Sequence, residues 1–222
     1  PPDGDKAPPK AGATCDELMP GYAMLAAVLA APLHDINHDG HNNTYHQQLG
    51  SEWAMTYNDK SILENMHCAF GMRLLRSSAE LDVLENLTLA ERRKLRALVV
   101  ESILGTDLAV HFEQLSQLQL KVDEGIRLSG DDNDLTLFLS SLVHAADLGS
   151  TAKPAETYFN WAQRVFVEFF ATGDAQKARH FDVQPLMQSR PPRGCTPPPC
   201  PPRDCTPHPL AHHVIVPPPC PP

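Results

Sequence analysis

Residues 88–106 read TLAERRKLRALVVESILGT, and this stretch decides the fold class. Thr88 and Glu91 stand three apart at its start. That spacing makes a capping box, in which the hydroxyl accepts from the third backbone N–H and the carboxylate accepts from the cap's own. Behind them Leu95, Leu98, Val99, Ser102, Ile103 and Thr106 recur with the 3.6-residue period of one helix face. Glu91, Arg92, Arg93 and Lys94 read as a solvated face. The same reading extends outward. Tyr22 to Leu33 is an apolar run of helical length, although Pro32 is expected to kink a helix there. Ser61-Ile62-Leu63-Glu64 reads as a second capping box, opening a helix that continues through Leu75. Leu135 to Ala146 is another helical run, and Pro154 suits a first helical turn. Tyr158, Trp161, Val165 and Phe169 then follow at helical spacing until Gly173-Asp174, which is expected to stop them. The pattern predicts an all-α body without internal repeats.

A chain of 222 residues is long enough for one domain with a core, or one domain plus a tail. Lys and Arg number 18 against 27 Asp and Glu, a net charge of −9. That balance argues against a nucleic-acid binder, which needs a basic stripe. The longest apolar run is too short to form a transmembrane segment, and no secretory leader is visible. Residues 190–222 hold 14 of the 22 prolines and four of the six cysteines. They carry Arg190, Arg193 and Arg203 against Asp204, so the rest of the chain stands at −11. Such a segment cannot bury a core and is expected to be disordered. Cys195, Cys200 and Cys205, among prolines, match no common zinc module. The expected organisation is an irregular segment over 1–20, a helical domain over 21–187, and a Pro/Cys-rich tail over 188–222. The tail has the composition of a ligand for SH3 or WW domains. The cysteines form no disulfide framework, which points to a reducing, cytoplasmic compartment.

Two polar constellations carry chemistry. The first is His34-Asp35-Ile36-Asn37-His38-Asp39-Gly40-His41-Asn42-Asn43, directly behind an apolar segment. Adjacent imidazole and carboxylate suit a divalent cation, since the carboxylate has two oxygens and can bridge two ions. Read alone, the cluster is equally a capping loop. The second is His144-Ala145-Ala146-Asp147, with Asp147 the one carboxylate closing an apolar helix. The negative end of a helix dipole disfavours an anion, so a nearby cation explains Asp147 better.

Four ordered blocks then resemble the catalytic domain of class I cyclic nucleotide phosphodiesterases. They are His34-Asp35-x-x-His38-x-Gly40-x-Asn42-Asn43; Tyr57-Asn58-Asp59-x-Ser61-Ile62-Leu63-Glu64-Asn65-x-His67; Gly105-Thr106-Asp107-x-x-x-His111; and His144-Ala145-Ala146-Asp147-Leu148 through Lys153-Pro154, Tyr158, Trp161, Arg164 and Glu168-Phe169-Phe170 to Gly173-Asp174. The resemblance covers about residues 20–187. It implies an all-α helical bundle of the HD-domain/phosphodiesterase type. It also implies two divalent metal ions, zinc with magnesium or manganese, that activate water for in-line attack on the phosphate of cyclic AMP or cyclic GMP. Carried over by residue, His34, Asp35 and Asp147 are metal ligands, with Asp35 shared by both ions. His38 is the catalytic residue, holding metal-bound water or a phosphate oxygen. Glu64 and Thr106 likewise hold water and phosphate oxygens around the ions, and Asn43 and Asp59 support them. Trp161, Val165 and Phe169 flank the base, and Phe169 clamps it. His67, His111 and His144 read as buried packing residues.

Departures accompany the match. The family carries an upstream His-Asn-x-x-His pair, supplying a further ligand and the general acid, whereas the first histidine here is His34. The Gln-bearing helices expected beyond Met187 are replaced by the Pro-rich tail. Asn37 and Asp39 stand where the family often has Asp and Pro. The expectation is a signalling hydrolase whose centre is incomplete in this chain, leaving it weakly active or inactive. A homodimer is also expected to be open to it. Two alternatives remain at this level: a non-catalytic helical regulatory module with a partner-binding tail, and a broader HD-type metal phosphohydrolase.

Overall fold

The computed structural model describes residues 19–124 and 132–188, all within the unit formed by residues 1–189. The Pro-rich tail, its cysteines, the SH3 or WW partner they call for and most of the irregular N-terminal segment lie outside the described residues. Among the described residues there are eight α-helices and no strand, as the periodicity predicts. None is long and apolar enough to cross a membrane.

The core is built on α1 (Gly21–Leu33) and α5 (Leu89–Leu104). Ala23, Ala26 and Ala30 line the buried face of α1, and their small side chains let α5 approach closely. From α5 come Leu95, Leu98, Val99 and Ile103, all buried. Helix α7 (Asp132–Asp147) adds Leu135, Leu139 and Val143 to the same cluster. Pro32 falls in the last turn of α1, which ends one residue later, so it marks the end of the helix rather than breaking it. The Thr88 capping box forms: Glu91 N–H donates to Thr88 Oγ1 at 3.3 Å, and Thr88 N–H donates to Glu91 Oε2 at 2.9 Å.

The second expected capping box does not form. Ser61 does precede α4 (Ile62–Leu74), but its side chain caps nothing. Asn43, at the start of α2 (Asn43–Leu49), does that work instead: its Oδ1 accepts from Leu63 N–H at 2.9 Å. Between them lies the short α3 (Glu52–Tyr57), capped by Ser51. Helix α6 (His111–Glu124) leads toward α7.

Helix α8 (Ala155–Ala178) begins just after Pro154 and runs straight through Gly173-Asp174. Gly173 is not a stop but a point of close contact. A Cβ there would collide with the Met187 backbone carbonyl, where the chain folds back in a short 3₁₀ turn, Pro185–Met187. The helix ends instead in a Schellman arrangement. His180, at φ 60°, donates to Lys177 O at 3.0 Å, and Phe181 donates to Gln176 O at 3.0 Å. Gly173→Ala should therefore destabilise the domain by about 1–3 kcal/mol, the usual scale for overpacking. Chemical denaturation of the two chains checks this; an unchanged midpoint would mean the return turn moves freely.

Candidate functional site

The loop from α1 to α2 carries the first constellation. His34 caps α1, and its Nδ1 donates to Ala31 O at 2.7 Å. That bond fixes the ring and turns Nε2 outward, 3.2 Å from Asp147 Oδ1 and 3.3 Å from Asp35 Oδ2. Asp147 arrives from the end of α7, 113 residues away in sequence. Hydrogen bonding to Asp147 and then to Asp35 pushes His34 up to about 10. The His34 hydrogen bond in turn holds Asp35 below the usual carboxylate range.

Asp35 also faces a second group. His67 Nε2 lies 4.0 Å from Asp35 Oδ1, and its Nδ1 bonds to Ile36 O at 2.6 Å. Two donor sets thus share Asp35: His34, Asp35 and Asp147, and Asp35, His38 and His67. The groups are imidazole nitrogens and carboxylate oxygens, with His34 and His67 each anchored through its other nitrogen, which fits borderline-to-hard divalent cations. His38 differs from the other two. Gly40 N–H donates to its Nδ1 at 2.9 Å, so the neutral ring carries its proton on Nε2. His38 therefore presents a donor, stacked 5.6 Å from His67.

Beside this centre opens a cleft of about 940 Å³. His38, Asn43, Asp59, Glu64, Thr106, Asp147 and Phe169 all line it. Asn43 Nδ2 donates to Glu64 Oε2 at 2.9 Å, so one amide caps α4 and orients this carboxylate. Burial pushes Glu64 up, opposed by that hydrogen bond. Thr106 Oγ1 donates to Ile103 O at 2.7 Å, which leaves its lone pairs for the cleft. Asp39, one of the departures, is engaged structurally. Burial raises its proton affinity, but His46 and the His41 backbone N–H outweigh that and hold it down at about 2.

Trp161 and Val165 do not line the cleft; they are 51% and 44% exposed on α8, one to two turns before Phe169. From the sequence, His67 is expected to be a packing residue and not a ligand. It is only 2% exposed, as packing predicts, yet it is turned toward Asp35. The available signal was its place three residues after Glu64, on the same helix face. His144 is buried and His111 half-buried; they are hydrogen-bonded to each other at 2.8 Å, and burial, then His111, lowers His144.

Comparison with known proteins places this arrangement in context. The sequence profile of the 3'5'-cyclic nucleotide phosphodiesterase family matches residues 12–197. The mouse 3',5'-cyclic-AMP phosphodiesterase 4C is 37% identical over 169 residues, covering 73% of this chain and 24% of that protein. A probable 3',5'-cyclic-AMP phosphodiesterase of Caenorhabditis elegans is 34% identical, covering 77% and 26%. Among solved structures, the phosphodiesterase domain of Salpingoeca rosetta rhodopsin phosphodiesterase superposes with a TM-score of 0.74 at 31% identity. That match covers 79% of this chain and 54% of the domain. The chain thus spans about a quarter of the curated relatives and about half of the solved domain.

Proposed function

Because this chain belongs to the 3'5'-cyclic nucleotide phosphodiesterase family, we propose that its cleft serves the metal-dependent hydrolysis of a 3',5'-cyclic nucleotide to the 5'-monophosphate, with cyclic AMP as substrate. The observation that carries this reading is the placing of Asp35 between His34 with Asp147 on one side and His67 on the other, next to the cleft that Asp147 and His38 line. Cyclic AMP is favoured because the curated relatives are named for it. His34, Asp35 and Asp147 would hold one cation, and Asp35 with His67 a second. When bound, zinc and magnesium or manganese supply Lewis-acid polarisation and a lowered water pKa.

The remaining work falls to the chain's own groups. His38 Nε2–H donates to a phosphate oxygen or to water. Glu64, oriented by Asn43, accepts a proton from water. Thr106 Oγ accepts a further hydrogen bond. The Phe169 ring offers an apolar face to the base. We assign the activity to the cytoplasm and no role in nucleic-acid binding.

Hydrolysis of cyclic AMP and cyclic GMP by the purified chain, with Mg²⁺, Mn²⁺ or Zn²⁺ added, tests this reading. Metal-dependent release of 5'-AMP, lost in Asp35→Ala, is expected, and binding of neither cation nor cyclic nucleotide would overturn the function.

A further inference from the structure

Ser61 and Asp107 have no part in the chemistry above, yet both line the cleft, from different elements of the fold. Ser61 sits between α3 and α4, and Asp107 sits in the turn between α5 and α6. The Ser61 hydroxyl donates to Asp107 Oδ2 at 2.8 Å, across 46 residues of sequence. Asp107 is largely buried, and its other oxygen accepts from Ala109 N–H at 2.9 Å. Its carboxylate is therefore held from its own side before it reaches Ser61.

The segment it grips is strained. Asn58, Asp59 and Ser61 all have positive φ, at 53°, 61° and 40°. Non-glycine residues in this region are uncommon, and the surrounding structure must over-determine them. Here it does. Asp59 N–H donates to Ala54 O at 2.9 Å, Gln47 Nε2 donates to Asp59 O at 2.9 Å, and Asn65 Nδ2 donates to Lys60 O and Ser61 O, each at 3.0 Å. Ser61 is also the residue from which α4 starts, so its placement sets where Glu64, three residues on, enters the cleft.

We propose that the Ser61–Asp107 hydrogen bond is a latch joining the start of α4 to the turn between α5 and α6, and that both are positioning residues acting through Glu64. The latch rests on the phosphodiesterase reading for its use, though not for its existence. A serine at a helix start normally bonds its own helix. This one is turned away, and Asn43 takes over the cap while gripping the Glu64 carboxylate. The start of α4 is thus held by two other elements, by Asn43 from α2 and by Asp107 from the turn after α5.

The test uses the full chain with Ser61→Ala, Ser61→Gly, Asp107→Ala and Asp107→Asn. In the metal-free protein, the Asn43 side-chain amide resonances report its bond to Glu64. Mn²⁺ titration calorimetry reports the centre. Ser61→Ala, Ser61→Gly and Asp107→Ala should each shift the Asn43 amide and weaken Mn²⁺ binding about tenfold, the lower end for groups that orient a metal site. Ser61→Gly should do so without loss of thermal stability, because glycine adopts this φ freely. Asp107→Asn should restore both readouts, since its amide can donate to Ser61 Oγ while its oxygen keeps Ala109. Unchanged Asn43 resonances in Ser61→Gly, or Mn²⁺ affinity that merely follows thermal stability, would overturn the latch. If the wild-type chain binds no Mn²⁺, the functional reading fails, and the Asn43 resonances alone then decide the latch.

Discussion

Asp35→Ala should abolish the binding of both divalent cations, whereas Asp147→Ala should remove one and spare the other. The asymmetry follows from geometry. Asp35 presents one oxygen toward His34, at 3.3 Å, and the other toward His67, at 4.0 Å. Asp147 approaches His34 alone, at 3.2 Å. Removing a shared carboxylate takes a ligand and a negative charge from two positions at once. The loss should exceed the roughly 10–100-fold seen when only an outer partner of a ligand is changed. Calorimetric titration with Mn²⁺ reads this directly as a change in stoichiometry. Two cations for the wild-type chain, one for Asp147→Ala and none for Asp35→Ala is the expected series. Equal losses in the two variants would mean that Asp35 serves a single cation, and the two-cation reading would fall.

The features that were legible in the sequence are those whose partners lie close along the chain. The Thr88 box could be read because Glu91 is three residues away and nothing competes for either side chain. The Ser61 box has the same hydroxyl-to-glutamate spacing and failed, because each half found a better partner far off. Glu64 is taken by Asn43, 21 residues earlier, and Ser61 by Asp107. Gly173 shows the same limit. Its local signal is to end a helix, but the returning chain at Met187 needs the missing side chain. Helical periodicity placed Trp161, Val165 and Phe169 on one helix correctly, yet could not say which of them the cleft would reach. His67 looked like packing because it is packed; only the placement of α4 against the Ile36 carbonyl turns its second nitrogen toward Asp35. The meeting of His34 with Asp147 was supplied by family resemblance, since no spacing rule connects residues 113 apart.

Cation affinity should climb about tenfold per pH unit between pH 7 and 9, with close to one proton released for each cation bound at His34. In the metal-free protein, Asp147 and Asp35 push His34 from its ordinary 6.5 up to about 10. A raised folded-state value stabilises the fold fully below 6.5, where the folded and unfolded chains both carry the proton. That contribution is then lost as pH rises through about 10. The metal-free thermal midpoint should accordingly decline from neutral pH toward 10. A cation at Nε2 must displace this proton, so proton and metal compete for the same two carboxylates and the same nitrogen. Competition with one proton gives a slope of one in the logarithm of affinity, or about 100-fold over two units. Above about 10 the slope should vanish, since His34 is then already neutral. Mn²⁺ isotherms at pH 7, 8 and 9, in two buffers of different ionisation enthalpy, give the affinity and the proton count independently. His34→Ala should bind more weakly and lose the slope. A wild-type affinity that is flat across this range would mean that His34 gives up no proton to the cation, and Asp35 and Asp147 would have to hold it without the imidazole.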